Sequence, residues 1–154
     1  MIYLLFTAGT FLLDFFVKQH MDSTYDRKVR HPRLGGRIII EKYYNDGAAL
    51  NLLSRHPRVM RALHTCVVAA VGILYYLSLR MTGHPLTKTG LSLLLGGGAS
   101  NLYDRYTKGH VVDYFHLNFG PKRLRSIVFN LSDFFIFFGA LLAAITTDFG
   151  QSTP

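Results

Sequence analysis

Four apolar segments divide the chain: Met1 to Val17, Ala62 to Leu79, Leu86 to Tyr103 and Ile127 to Thr147. At 1.5 Å per residue each reaches about 26–32 Å, one hydrocarbon thickness. A soluble four-helix bundle would need a polar stripe on every helix, and the run CVVAAVGILYYL within the second segment has none. The third segment is the most diluted, by Lys88, Ser92 and Asn101. With 154 residues, 49% of them hydrophobic and 17% charged, the chain suits one membrane domain with polar loops. The first segment has no basic residues before it and no small-residue cleavage site, so it reads as a retained transmembrane helix.

The formal charge of +8 raises nucleic acid as a partner. The basic residues avoid the apolar segments, however: eight fall between residues 19 and 58 and five between 105 and 126. That placement fits loops beside anionic headgroups better than a nucleic-acid surface. Within the first loop, RIIIEKYY (Arg37 to Tyr44) is β-branched and aromatic and runs into Asn45-Asp46-Gly47, which predicts a strand and a turn. Ala48 to Leu53 is an apolar patch suited to dipping into the interface. His110 to Phe115 and Ser126 to Phe129 are further strand candidates, and the tail after Asp148 reads as disordered. The lone cysteine, Cys66, excludes an internal disulfide and reads as a small buried hydrophobe.

Antiparallel passes bring alternate helix ends to one side of the bilayer. Asp14 and Lys18 then lie at the end of the first helix, Asn101, Asp104 and Arg105 at the end of the third, and Asn130 and Asp133 near the start of the fourth. Asp113 follows shortly after the third helix. Asn101 and Asp104, like Asn130 and Asp133, are three apart and share a helix face. Asp133, six residues into its apolar segment, costs about 2.5–3.5 kcal/mol if placed at mid-membrane, so an idle acid there is not expected. Gly96 with Ser100, and Gly97 with Asn101, form small-xxx-small pairs for close helix approach. Asp14 and Lys18 read equally as an interfacial ion pair, and Arg105 as a snorkelling anchor. The second helix, without intramembrane charge, reads as a support.

Two carboxylates close together in a low dielectric cannot both ionise cheaply; one proton is shared, one group activates water and the other polarises a carbonyl. Asp113 and Asp133 are the best placed for such aspartyl peptidase chemistry. A metal site at His110, Asp113 and His116 is disfavoured, because neither strand nor helix geometry collects all three. No G-x-S-x-G motif supports a serine nucleophile, and no cofactor is called for.

The motifs LDFFVKQ, YNDGAAL, GGGASNLYDR, GHVVDYF and FNLSDFFI, in this order and spread over nearly the whole chain, resemble those of the lipoprotein signal peptidases (signal peptidase II). The resemblance implies an all-α membrane protein of four transmembrane helices with a small extracytoplasmic β-sheet, the β-cradle. One domain would cover 1–154, with helices at about 1–18, 62–79, 86–104 and 127–147 and extracytoplasmic loops at 19–58 and 105–126. It implies Asp113 and Asp133 as the catalytic pair, Asn45, Gly47, Asn101, Arg105 and Asn130 as shaping the site, and Asp14, Lys18 and Asp104 in support. The expected activity is removal of the signal peptide from a diacylglyceryl-modified prolipoprotein, just before the lipid-bearing cysteine. Other expected partners are membrane lipid and globomycin-type inhibitors, and the expected location is the bacterial cytoplasmic membrane, with the site near the extracytoplasmic face. The chain departs from the family pattern at Leu50 and Asn51 (often Phe and Ser), Ser100 (usually Gly) and Ser132 (usually Ala). The basic loops oppose this orientation, since the positive-inside rule puts them in the cytoplasm; arrival of exported precursors outside favours the resemblance. Two other readings compete. A proton-relay or transport subunit should carry acids at both ends of the bundle. An inactive lipoprotein-binding relative would have little reason to keep the complete acid pair.

Overall fold

The structure, a computed structural model, describes residues 1–47 and 53–148. Ala48, Ala49, Leu50, Asn51 and Leu52 of the expected interfacial patch, and the tail beyond Asp148, lie outside the described residues. The helices are α1 (Ile2–Thr24), α2 (Pro57–Arg80), α3 (Pro85–Thr107) and α4 (Leu131–Asp148). The strands are β1 (Arg30–Arg33), β2 (Ile38–Asn45), β3 (Val111–Leu117) and β4 (Val128–Phe129). They form one antiparallel sheet in the order β1-β2-β3-β4. Proline opens both α2 and α3, where its missing N–H and fixed φ do no harm.

Helix α3 packs against each of the other three helices, whereas α2 and α4 make no extensive contact with one another among the described residues. Its polar residues Lys88, Ser92, Ser100, Asn101, Asp104 and Arg105 are all buried. Outward faces are apolar instead: Leu5 and Phe16 on α1, Ile73 and Leu74 on α2, and Phe137 and Phe138 on α4 are all exposed. Among the described residues, seven hydrophobic side chains are buried against fifteen polar or charged ones. Polar inside and apolar outside inverts the soluble pattern and is what a hydrocarbon solvent selects. Helices α1 and α2 are long and apolar enough to cross a membrane, and the apolar part of α4, Leu131–Thr146, is shorter.

Several expectations need correction. Helix α1 continues to Thr24, so Asp14 and Lys18 lie inside it rather than at its end. The fourth helix starts at Leu131 rather than Ile127, because Val128 and Phe129 pair with β3. Asp133 is therefore in the first turn of α4 and not six residues deep. Cys66 is exposed, on the face that apolar solvent would cover. Strand β1, RHPR, escaped the sequence reading because charge and proline suit only an edge strand.

Glycines set the helix spacing. A Cβ on Gly90 would lie 2.8 Å from the Gly139 carbonyl oxygen, and one on Gly139 would lie 2.8 Å from the Leu94 nitrogen. The small-xxx-small pairs work on two faces: Gly96 meets Thr7 and Thr10 of α1, and Gly97 meets Ser132 of α4. Because backbone cannot step aside, Gly139→Ala should destabilise the detergent-solubilised protein by about 2–3 kcal/mol. Gly9→Ala, with nothing within 4 Å of the added methyl, should be neutral or mildly stabilising. Thermal unfolding of both variants checks the contrast, and equal melting temperatures would contradict it.

Candidate active site

Where the helices meet the sheet, one ammonium group gathers four side chains. Lys18 Nζ lies 2.7 Å from Asp14 Oδ2 and 3.3 Å from Asp104 Oδ2. It also donates to Asn101 Oδ1 at 2.6 Å and Ser100 Oγ at 3.3 Å. Asp14 and Lys18 are 0% and 1% exposed, so the pair is no interfacial ornament. Asp14 also accepts from Ser100 Oγ (2.7 Å), Ser132 Oγ (2.5 Å) and the Tyr114 hydroxyl (3.0 Å). Tyr114 in turn accepts from the Leu131 N–H at 2.9 Å. Asp104 accepts from the Val112 N–H at 3.2 Å. One network thus ties α1, α3, β3 and the start of α4, and every polar atom it uses compensates another, as burial demands. The Asp14 carboxylate and Tyr114 face each other, and burial together with that charge pushes the Tyr114 hydroxyl far above the usual phenol range.

The second cluster grows from the first. A lysine only donates, so the oxygen of Asn101 must face Lys18, and its Nδ2 is left to donate to Asp133 Oδ1 at 3.1 Å. Asn45 is fixed in the same way. Its Oδ1 accepts from the Gly47 N–H at 3.1 Å, an Asx turn, and its Nδ2 donates to Asp113 Oδ2 at 2.9 Å. Asn130 joins the two acids: its Nδ2 donates to Asp113 Oδ1 at 2.7 Å and its backbone N–H to Asp133 Oδ2 at 3.0 Å. The Asp133 N–H returns a bond to Asn130 Oδ1 at 3.0 Å, completing a capping box at the start of α4. The same sequence spacing that suggested a shared helix face is therefore a reciprocal cap. Asp113 is 2% exposed while Asp133 is partly open. Burial, and then the Asp133 carboxylate, push the Asp113 carboxyl up to about 8.

Both acids line a cleft of about 270 Å³, together with Asn45, Gly47, Asn101 and Arg105. Arg105 does not snorkel: it is 5% exposed, and its guanidinium donates to the Asp46 carbonyl at 3.4 Å and to the Gly47 carbonyl. Asn130, Asp14, Lys18 and Asp104 stand behind the cleft and hold its front. The three residues of the metal reading are engaged separately: His110 stacks on Tyr44, His116 contacts Glu41, and Asp113 bonds the two asparagines. The sequence reading missed the wall that α2 supplies, with Met60, Leu63, His64 and Val67. The signal was present, since positions 60, 63, 64 and 67 fall on one helical face. Nothing else in the sequence marks it, because α2 carries no charge in its apolar run.

Comparison with known proteins bears on this site. The model of the family described as signal peptidase (SPase) II matches residues 6–149. A lipoprotein signal peptidase of Caldicellulosiruptor bescii is 34% identical over 145 residues, covering 92% of this chain and 87% of the relative. One from Moorella thermoacetica is 30% identical over 140 residues, covering 91% and 88%. Among solved structures, a bacterial membrane enzyme determined by the in meso method at 2.3 Å resolution superposes with a TM-score of 0.82 at 21% identity. That match covers 98% of this chain and 90% of the other, and speaks for the fold alone. The family match takes in nearly the whole chain and every residue of both polar clusters: the chain belongs to the signal peptidase II family of lipoprotein signal peptidases.

Proposed function

We propose that lipoprotein signal peptide cleavage, the activity of this family, runs on the Asp113–Asp133 pair. One observation carries the reading. Two acids from separate segments share one cleft, and a single residue, Asn130, donates to both. With one proton between them, the ionised oxygen takes a proton from water as that water attacks the scissile carbonyl, and the protonated oxygen polarises the carbonyl. The leaving amine then receives a proton as the tetrahedral intermediate collapses, and the pair returns to its starting state. Asn45, Gly47, Asn101, Arg105 and Asn130 shape the cleft around this step, and Asp14, Lys18 and Asp104 form its support.

The substrate reading is a precursor carrying a diacylglyceryl cysteine, cut on the amino side of that cysteine. The apolar flank of the cleft, Leu63, Val67 and Ile136, suits a lipid-bearing segment. The sparse contact between α2 and α4 among the described residues suits lateral entry from the bilayer. Globomycin-type inhibitors would compete for the same cleft. All four helices cross the bacterial cytoplasmic membrane in this reading, as one domain over residues 1–154 in contact with membrane lipid. The cleft then lies near the extracytoplasmic face.

Asp113→Asn, Asp133→Asn and the double variant should be almost equally inactive on a lipidated precursor while remaining folded, because groups acting as a unit are far from additive. Substantial turnover by a folded single variant would sink the pair. Activity should also fall as pH rises through about 8, where Asp113 gives up its proton. Between the ordinary carboxyl value of 3.8 and about 8, folded Asp113 holds a proton that the unfolded chain has released. Its contribution to stability therefore declines as pH rises across that window, and Asp113→Asn should gain in melting temperature over wild type from pH 4 to pH 8. A flat difference would contradict the raised value. For orientation, single cysteines at the exposed Ser23 and Ser126 in a Cys66→Ala background should label with an impermeant thiol reagent in intact cells. Labelling only after lysis would reverse the topology.

A further inference from the structure

Two polar atoms in the wall of the cleft have nothing to bond. Arg105 Nε and His64 Nδ1 are both buried, and neither has a hydrogen-bond partner among the described residues. Arg105 spends its two terminal nitrogens on the carbonyls of Asp46 and Gly47, which leaves only Nε. His64 on α2 and Arg105 on α3 line the same cleft, so both atoms belong to one stretch of its wall. Leaving a buried polar atom unbonded is destabilising, and a ligand that bonds it recovers that cost.

We propose that His64 positions the precursor, by a hydrogen bond from its imidazole to a main-chain amide beside the scissile bond. The assignment rests on the reading that cleavage occurs in the Asp113–Asp133 cleft. A neutral imidazole carries one donor and one acceptor, and Arg105 Nε is a donor only. A peptide unit offers both a carbonyl and an N–H, so it satisfies the ring in either tautomer and leaves a neighbouring carbonyl for Arg105. The ester groups of the lipid offer acceptors alone and fit less completely. The location suits this role as well. His64 stands one helical turn from Met60 and Val67, on the wall where polar and apolar linings meet. A peptide lying along it would have its backbone on the polar side and its side chains against Leu63 and Ile136.

Because such a bond serves substrate and transition state alike, it shows in KM rather than kcat. His64→Leu should raise KM for the lipidated precursor about tenfold, the equivalent of about 1.4 kcal/mol, with kcat within about twofold. His64→Asn, which keeps a donor and an acceptor near the Nδ1 position, should recover most of the loss. A precursor with an ester in place of the amide on the amino side of the scissile bond should weaken binding to wild type and leave His64→Leu unaffected. Unchanged KM in His64→Leu, a loss confined to kcat, or failure of asparagine to restore KM in a folded protein would overturn the assignment. An ester precursor that weakens both enzymes equally would overturn it too. Asp113→Asn serves as the reference: if it still cleaves, the cleft reading has failed, whereas if it is dead and His64→Leu is normal, only the His64 assignment has.

Discussion

The ammonium of Lys18 is the point on which the polar interior depends. It sits between Asp14 and Asp104 and directs the amide of Asn101. Removing it would leave the buried Asp14 without a cation and Asp104 with only Lys108 at the rim, which costs several kcal/mol in a low-dielectric interior. Its consequences run outward in steps. Lys18 fixes which end of Asn101 meets Asp133, Asp14 holds Tyr114 and Ser132, and Tyr114 holds the first N–H of α4. The register of α4, and with it the place of Asp133 in the capping box, follows from a lysine on another helix.

Acid is in excess at this junction. Asp14, Asp104, Asp113 and Asp133 meet two buried cations, Lys18 and Arg105, while Lys108 at the rim is shared between Asp104 and Asp22. A proton on the Asp113–Asp133 pair reduces the excess at the least cost, because those two acids already repel each other. The charge balance that lets the interior exist is thus the same condition that an aspartyl mechanism requires. Glycines on both helices complete the arrangement, since backbone-to-backbone approach at Gly90 and Gly97 of α3 and Gly139 of α4 brings the two together.

Much of this was legible in the sequence, and for a physical reason. Acids and asparagines in apolar segments are expensive, so their positions mark where the fold must compensate them, and Asp14, Asn101, Asn130 and Asp133 stand out that way, with Lys18 and Asp104 just past the segment ends. Local geometry was less legible. The Asn130–Asp133 spacing fits a helix face and a cap equally well, and only the pairing of Val128 and Phe129 with β3 decides between them. Strand β1 and the α2 wall were missed because neither announces itself by hydropathy. Cys66 reads as buried by the pattern of soluble proteins, whereas a helix whose outward face is apolar leaves it exposed.

Ser100 and Ser132 both donate to the same oxygen of Asp14. Far apart in sequence, they act together in the structure, two hydroxyls from α3 and α4 gripping one acid of α1. The claim that everything else serves is that one proton is held between Asp113 and Asp133. Infrared spectroscopy of the membrane-reconstituted protein reads it directly. A protonated-carboxyl band should be present at pH 7, fade as pH passes about 8 and be missing from Asp113→Asn. A wild-type spectrum without that band at pH 7, or a band that persists unchanged in Asp113→Asn, would contradict the account.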